Sequence, residues 1–180
     1  MDFPASLTLP HVGNTFCGVP AAQTWQDLAL WEVFFDRARV TSVIELGTYQ
    51  GGMALFFATQ GNARGFTVTT IDSNTDQCKV RDLLRSLGCE LLKLDLMGSA
   101  AQDEVTALLS RLPKPTMLFC DNGHKPSEWS RFVRLLSPGD FAAVHDWGAE
   151  FGPENLDPHP ESFLLAESES IQSMTRFFRI

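Results

Sequence analysis

Five times along this chain a short apolar or β-rich run reaches a carboxylate and gives way to a segment with helical spacing. The runs are residues 42–46, 66–71, 90–94, 116–120 and 141–145, and the acids are Glu45, Asp72, Asp95, Asp121 and Asp146. Strand followed by helix, repeated, requires right-handed crossovers and a mostly parallel sheet covered on both faces. The expected fold is therefore a Rossmann-like three-layer α/β sandwich. In such a sheet ligands bind beyond the carboxyl ends of the strands, near the point where strand order reverses. An acid after a strand is also a common helix cap. Five on one rim are harder to assign to capping alone.

The intervening segments carry ordinary stop signals. Residues 52–59, 75–87, 100–112 and 127–136 read as helices, with Gly88, Pro113 and Pro138-Gly139 ending the last three. An earlier helix is expected after Thr24, a good cap, with Leu28, Trp31, Phe34 and Phe35 at helical spacing. Residues 1–23 carry scattered Pro and Gly and read as irregular. Residues 148–160 read as a polar loop over the strand rim, a natural place for substrate selection. After it, 161–169 is expected to be helical and 174–180 a final strand. No repeat or linker interrupts the pattern, and 180 residues with 44% hydrophobic content suit one domain over 1–180.

The segment Glu45-Leu46-Gly47-Thr48-Tyr49-Gln50-Gly51-Gly52 is the sharpest local signal. A strand entering a glycine-bearing turn lets backbone approach a ligand, and a helix opening at Gly51-Gly52 presents free N–H groups to an anion. The spacing is not G-x-G-x-x-G, which argues against a nicotinamide-dependent oxidoreductase. Asp72, ending the next strand, stands where an acid can accept hydrogen bonds from both hydroxyls of a ribose. Its plainer reading, with Ser73, is a cap on the following helix.

A second constellation follows the fourth and fifth runs: Asp121-Asn122-Gly123-His124-Lys125 and His145-Asp146-Trp147. Oxygen ligands from adjacent strand tips suit a divalent cation that keeps several waters. His145 brings an imidazole, which suits Mn²⁺, Fe²⁺ or Zn²⁺ better than Mg²⁺ and leaves the metal open. His11 and His159 read as structural. The aromatics Trp25, Trp31, Phe34, Phe35, Phe56, Phe57 and Trp129 read as core, and Trp147 as a substrate contact.

The motif Glu45-Leu46-Gly47-x-Tyr49-x-Gly51, continued as Gly51 to Ala58, resembles the cofactor loop of class I S-adenosylmethionine-dependent methyltransferases. It is most similar to the metal-dependent catechol O-methyltransferase-like branch and the cephalosporin hydroxylase/rhamnosyl O-methyltransferase group, over roughly 40–148. The resemblance implies that Glu45, Gly47 and Tyr49 surround the methionine part of S-adenosylmethionine and that Asp72 holds the ribose. With Thr48, Gly51, Ser73, Asp95 and Asp121 these are the candidate cofactor contacts. It also implies a divalent metal, Mg²⁺ or Mn²⁺, on Asp121, His145 and Asp146, with Lys125 or His124 taking the proton from a hydroxyl. Met53 departs from the catechol type, which has a serine there. The family adds two strands after the fifth, and this chain offers room for about one. The expected fold is thus shortened at its end, with an edge that a second copy could complete as a homodimer.

The implied reaction is O-methylation of a hydroxyl on a small molecule. The alternative is an inactive cofactor-binding partner or regulatory subunit. A formal charge of −8 opposes phosphate-backbone binding, so nucleic acid is not the expected partner. Apolar stretches are too short to span a bilayer, and the start lacks signal-peptide features. Cys17, Cys78, Cys89 and Cys120 form no framework and read as reduced thiols of a cytoplasmic protein.

Overall fold

The computed structural model describes residues 14–157 and 159–180. The part of the amino-terminal segment before Asn14, including His11, lies outside the described residues, as does Pro158 of the 148–160 loop. A seven-stranded sheet organises the chain. Its strands are β3 (Ser42–Leu46), β4 (Thr67–Asp72), β5 (Glu90–Lys93), β6 (Thr116–Cys120), β7 (Phe141–Val144), β8 (Glu161–Phe163) and β9 (Arg176–Arg179), in the spatial order β5-β4-β3-β6-β7-β9-β8. The first five are parallel; β9 runs antiparallel to both β7 and β8.

Alternation along each strand sends side chains to opposite faces, so a strand covered on both sides is apolar throughout. Every residue of β3 and β6 is buried. One face is packed by α1 (Trp25–Ala38), α2 (Gly52–Arg64) and α3 (Arg81–Ser86); there Trp31 stands edge-on to Phe34, Phe57, Phe119 and Phe177. The other is packed by α4 (Ala101–Arg111) and α5 (Lys125–Phe132), where Trp129 and Phe132 are fully buried. A last helix, α6 (Leu165–Ser170), precedes β9. The cysteines are free thiols: Cys17 is exposed, Cys78, Cys89 and Cys120 buried. No described helix is long and apolar enough to cross a membrane.

Several sequence expectations need correction. The segment 1–23 was expected to be irregular, yet a small antiparallel hairpin, β1 (Thr15–Phe16) and β2 (Val19–Pro20), lies within it and packs on α2. The helix expected over 75–87 is a 3₁₀ turn at Thr75–Gln77 and then α3. Between them the chain docks on the glycine loop: Lys79 N–H donates to the Gln50 carbonyl, and Cys78 and Val80 lie where a Cβ on Gly51 would go. The helix expected over 161–169 starts late, because Glu161–Phe163 pairs with β9 and Leu164 turns left-handed at φ 58°. Both carboxyl-terminal strands are therefore present, and the missing strand that suggested a dimer edge is in place. Trp25, expected in the core, is 37% exposed.

Candidate active site

The chain winds outward in opposite directions from β3 and β6, so the gap beyond their carboxyl ends is the topological switch point. There the two strand exits nearly touch. Asp121 N–H donates to the Leu46 carbonyl at 3.0 Å, and Gly47 N–H donates to the Ile71 carbonyl at 2.8 Å. Gly47 has φ +101°, and a Cβ there would lie 2.5 Å from the Asp121 carbonyl oxygen. Its glycine is demanded by this backbone crossing. Gly51, at φ +92°, is likewise pressed against Cys78 and Val80 rather than opened toward a ligand.

Between these glycines Tyr49 is left-handed, at φ 49°. Such a backbone is unfavourable for a bulky residue and persists only when its surroundings enforce it. Asp72 supplies the enforcement: Oδ2 accepts from the N–H of Thr48 at 3.0 Å and of Tyr49 at 2.9 Å, while Oδ1 accepts from Asn74 N–H at 2.8 Å. A carboxylate has about four acceptor positions, so roughly one remains for a ligand hydroxyl. Beneath the loop, Thr48 Oγ1 meets Thr70 Oγ1 at 2.6 Å, and Thr70 donates to Glu45 Oε2. Glu45 is fully buried; burial, then repulsion from Asp121 and Asp72, pushes its carboxyl well above the usual range.

A cavity of about 460 Å³ opens at this rim, of a size that suits a small organic ligand. Its walls include Gly47, Thr48, Tyr49, Asp72 and Ser73 at one end and Asp121, Lys125, His145 and Asp146 at the other. Pro20, Ala21 and Ala22, from the exit of the amino-terminal hairpin, form a further wall.

At the far end Asp121 Oδ1 lies 3.4 Å from His145 Nδ1, and Asp146 Oδ1 lies 3.2 Å from the same nitrogen. One donor atom from each residue fits within a 4.8 Å span, compact enough for a single cation. Lys125 Nζ sits among three carboxylates, at 2.7 Å from Asp146, 2.9 Å from Glu150 and 3.4 Å from Asp121. Burial alone would lower its pKa, but Asp121, Asp146 and Glu150 outweigh that and raise it. In this arrangement Lys125 is a held charge and keeps its proton. Burial likewise disfavours charge on His145; Asp121, Asp146 and Asp27 reverse the balance and raise its pKa well above the ordinary value.

Of the residues singled out from sequence, Gly47, Thr48, Tyr49, Asp72, Ser73, Asp121, Lys125, His145 and Asp146 converge on the cavity. Glu45 and Gly51 lie behind the loop, and Asp95 is exposed, accepting from Met97 N–H. His124 is exposed and off the cavity wall, its backbone N–H donating to Glu128. Trp147 packs with Phe151 and Phe178 beneath Arg176 instead of reaching the cavity. Sequence reading missed Gln23 and Asp27. Gln23 Nε2 donates to Asp121 Oδ2 at 2.7 Å, and Asp27 Oδ2 lies 3.5 Å from His145 Nε2. The available signal was an acid on the buried face of an amphipathic helix. Asp27 forms a capping box with Thr24, which sufficed to explain it locally.

No family profile matches the chain, and no curated protein matches it by sequence. Solved structures do match. The SAH form of CmcI is 16% identical with a TM-score of 0.68, over 99% of this chain and 92% of its own. The Mg-SAM form of CmcI is 18% identical with a TM-score of 0.62, over 81% of this chain and 66% of its own, just under two thirds. CalS11, a TDP-rhamnose 3′-O-methyltransferase, is 13% identical with a TM-score of 0.58, over 85% of this chain and 78% of its own. At these identities what is shared is the fold, the Rossmann-like sandwich of these methyltransferases.

Proposed function

We propose that this chain is an S-adenosylmethionine-dependent methyltransferase that methylates a hydroxyl oxygen of a small molecule with the help of a divalent cation. The observation that carries the reading is one cavity at the β3/β6 switch point, with the Gly47–Tyr49 loop and Asp72 at one end and Asp121, His145 and Asp146 at the other. The likeness to CmcI structures solved with SAH and with Mg-SAM supports it.

In this reading the backbone of Gly47 to Tyr49 borders the methionine part and the last acceptor position of Asp72 takes a ribose hydroxyl. Glu45, Gly51 and Asp95 act behind or beside that contact, not in it. Asp121, His145 and Asp146 would hold the cation, which when bound supplies Lewis acidity and a template for the acceptor oxygen. Lys125 offsets the negative charge of the cluster and fixes the orientation of Asp146. The wall formed by Pro20 to Ala22 narrows the cavity and restricts water. Methyl transfer is an in-line displacement, so alignment of acceptor and donor supplies much of the rate. A shortened end would favour an inactive partner subunit, and both carboxyl-terminal strands are present.

Thermal unfolding with S-adenosylhomocysteine, with and without Mg²⁺ or Mn²⁺, tests the proposal. At about a hundred times Kd the nucleoside should add roughly 2.7 kcal/mol, a rise of roughly 5–10 °C. Asp121→Ala should keep that rise and lose both the metal response and metal-dependent turnover. No nucleoside shift would sink the cofactor reading; a shift indifferent to metal would move the chemistry away from Asp121.

A further inference from the structure

Two buried polar side chains at the start of α1 grip the cluster from behind, and the fold alone does not call for either. Gln23 is fully buried and its Nε2 donates to Asp121 Oδ2. This leaves Oδ1, the oxygen nearer His145 Nδ1, turned toward the centre of the cluster. The carboxamide's other atom, Oε1, is buried and has no hydrogen-bond partner among the described residues. A buried acceptor so placed can take a hydrogen bond from a water held on a cation.

Asp27 is more constrained. Its carboxylate accepts from Thr24 N–H at 2.9 Å, the Thr24 hydroxyl, the Ser173 hydroxyl at 2.6 Å and Thr175 N–H at 3.0 Å. A capping box explains the Thr24 bonds; it does not explain full burial or the pairing with the carboxyl-terminal segment. Held by four donors, the carboxylate is a fixed negative charge 3.5 Å from His145 Nε2. When a cation displaces the proton from one imidazole nitrogen, a carboxylate facing the other keeps the remaining hydrogen there, so that the first presents its lone pair to the ion. That other nitrogen, Nδ1, faces Asp121 Oδ1 and Asp146 Oδ1.

We infer that Asp27 is a positioning residue that makes His145 Nδ1 a metal ligand, so that the site prefers a first-row transition dication such as Mn²⁺ or Fe²⁺ over Mg²⁺. The inference rests on the reading of Asp121, His145 and Asp146 as ligands. Mg²⁺ favours an all-oxygen shell and sheds its waters reluctantly, whereas imidazole suits the transition ions. Gln23 completes the outer shell by fixing which oxygen of Asp121 faces the ion.

Calorimetric titration of the full chain with Mn²⁺ and with Mg²⁺, for wild type, Asp27→Asn and Ser173→Ala, is the test. Wild type should bind Mn²⁺ at least about tenfold more tightly than Mg²⁺. Asp27→Asn should lose roughly 10–100-fold for Mn²⁺ and much less for Mg²⁺. Ser173→Ala removes another partner of Asp27 and should bind as wild type does, separating orientation of His145 from general loosening. Should Asp27→Asn fail to fold, spin-echo spectroscopy of Mn²⁺ on the wild type still decides, because a nitrogen ligand modulates the echo. Equal Mn²⁺ affinity in wild type and Asp27→Asn, or no nitrogen modulation, would overturn the role of Asp27. Absence of any dication binding would overturn the ligand assignment itself.

Discussion

Two loops leave the strand rim on either side of the switch point, and each is gripped by a carboxylate that accepts two backbone N–H groups from it. After β3, Asp72 holds Thr48 and Tyr49; after β6, Glu128 holds Asn122 at 3.2 Å and His124 at 3.0 Å. The devices are alike and their settings differ. Asp72 stands on the cavity wall with acceptor capacity to spare, while Glu128 lies on α5, fully buried and off that wall. The first clamp can serve a ligand as well as the loop. The second serves the loop alone, leaving to Asp121, His145 and Asp146 the ligation proposed above. In the proposed reading, one carboxylate doing both tasks and four residues dividing them is the asymmetry between the nucleoside end and the cation end of the cavity.

Gly47 is where the two ends depend on each other, so replacing it should break both at once. A Cβ at 2.5 Å from the Asp121 carbonyl oxygen and 2.8 Å from Asn122 Cα meets backbone, which cannot turn aside as a side chain can. Overpacking of about 1–3 kcal/mol adds to strain of about 1–3 kcal/mol at positive φ. Gly47→Ala should therefore lose roughly 2–6 kcal/mol, read as a fall of roughly 4–24 °C in Tm. Nucleoside and metal responses should weaken together. Loss of only one would show that the loops are independent.

How far the sequence disclosed these two ends follows from the range of the interactions. The proposed nucleoside end is built from two consecutive strand exits, and its spacing, Gly47 to Gly51 and then Asp72, is readable as a string. Five parallel strands were legible for the same reason, since short runs such as Val43-Ile44 in β3 and Met117 to Cys120 in β6 are apolar and wholly buried. The residues proposed as cation ligands were also legible, as polar residues past apolar runs. Their supports were not: Gln23 reaches Asp121 across 98 positions, and Asp27 meets Ser173 across 146. Such contacts leave no local pattern. Tertiary pairing also overrode local propensity at Glu161–Phe163, where β9 offered an edge and a helical stretch became a strand.

The Glu128 clamp should reveal itself through pH. Burial pushes its carboxyl up to about 7 against the two N–H groups and Lys125, which pull it down. A carboxyl with a raised folded-state pKa binds more protons folded than unfolded between its two values. Its favourable contribution is thus present below the unfolded value of about 4.5 and is lost as pH climbs toward 7. Glu128→Gln cannot titrate, so the Tm of wild type relative to this variant should fall from pH 4.5 to 7 and level off above. The whole change is at most about 3 kcal/mol. A difference that stays flat across this range would mean that Glu128 is ionised throughout it.

The smallest effect belongs to a third carboxylate, and it tells a clamp from a mere contact. Glu150 reaches Lys125 Nζ at 2.9 Å from the loop after β7, with its side chain 54% exposed. That loop does not need the pair. Gly148 N–H donates to the Phe151 carbonyl, Ala149 and Glu150 N–H groups donate to the Asp146 carbonyl, and Gly152 N–H donates to Asn155 Oδ1. Lys125 in turn keeps Asp121 and Asp146 if Glu150 is removed. A half-exposed ion pair contributes about 0–1 kcal/mol and less in high salt. Glu150→Ala should lower Tm by no more than about 4 °C in low salt, and the difference should shrink as salt is added. A drop as large as that of Gly47→Ala, insensitive to salt, would make Glu150 a third structural grip. The cation end would then be held by its substrate-side loop as firmly as the nucleoside end is held by Asp72.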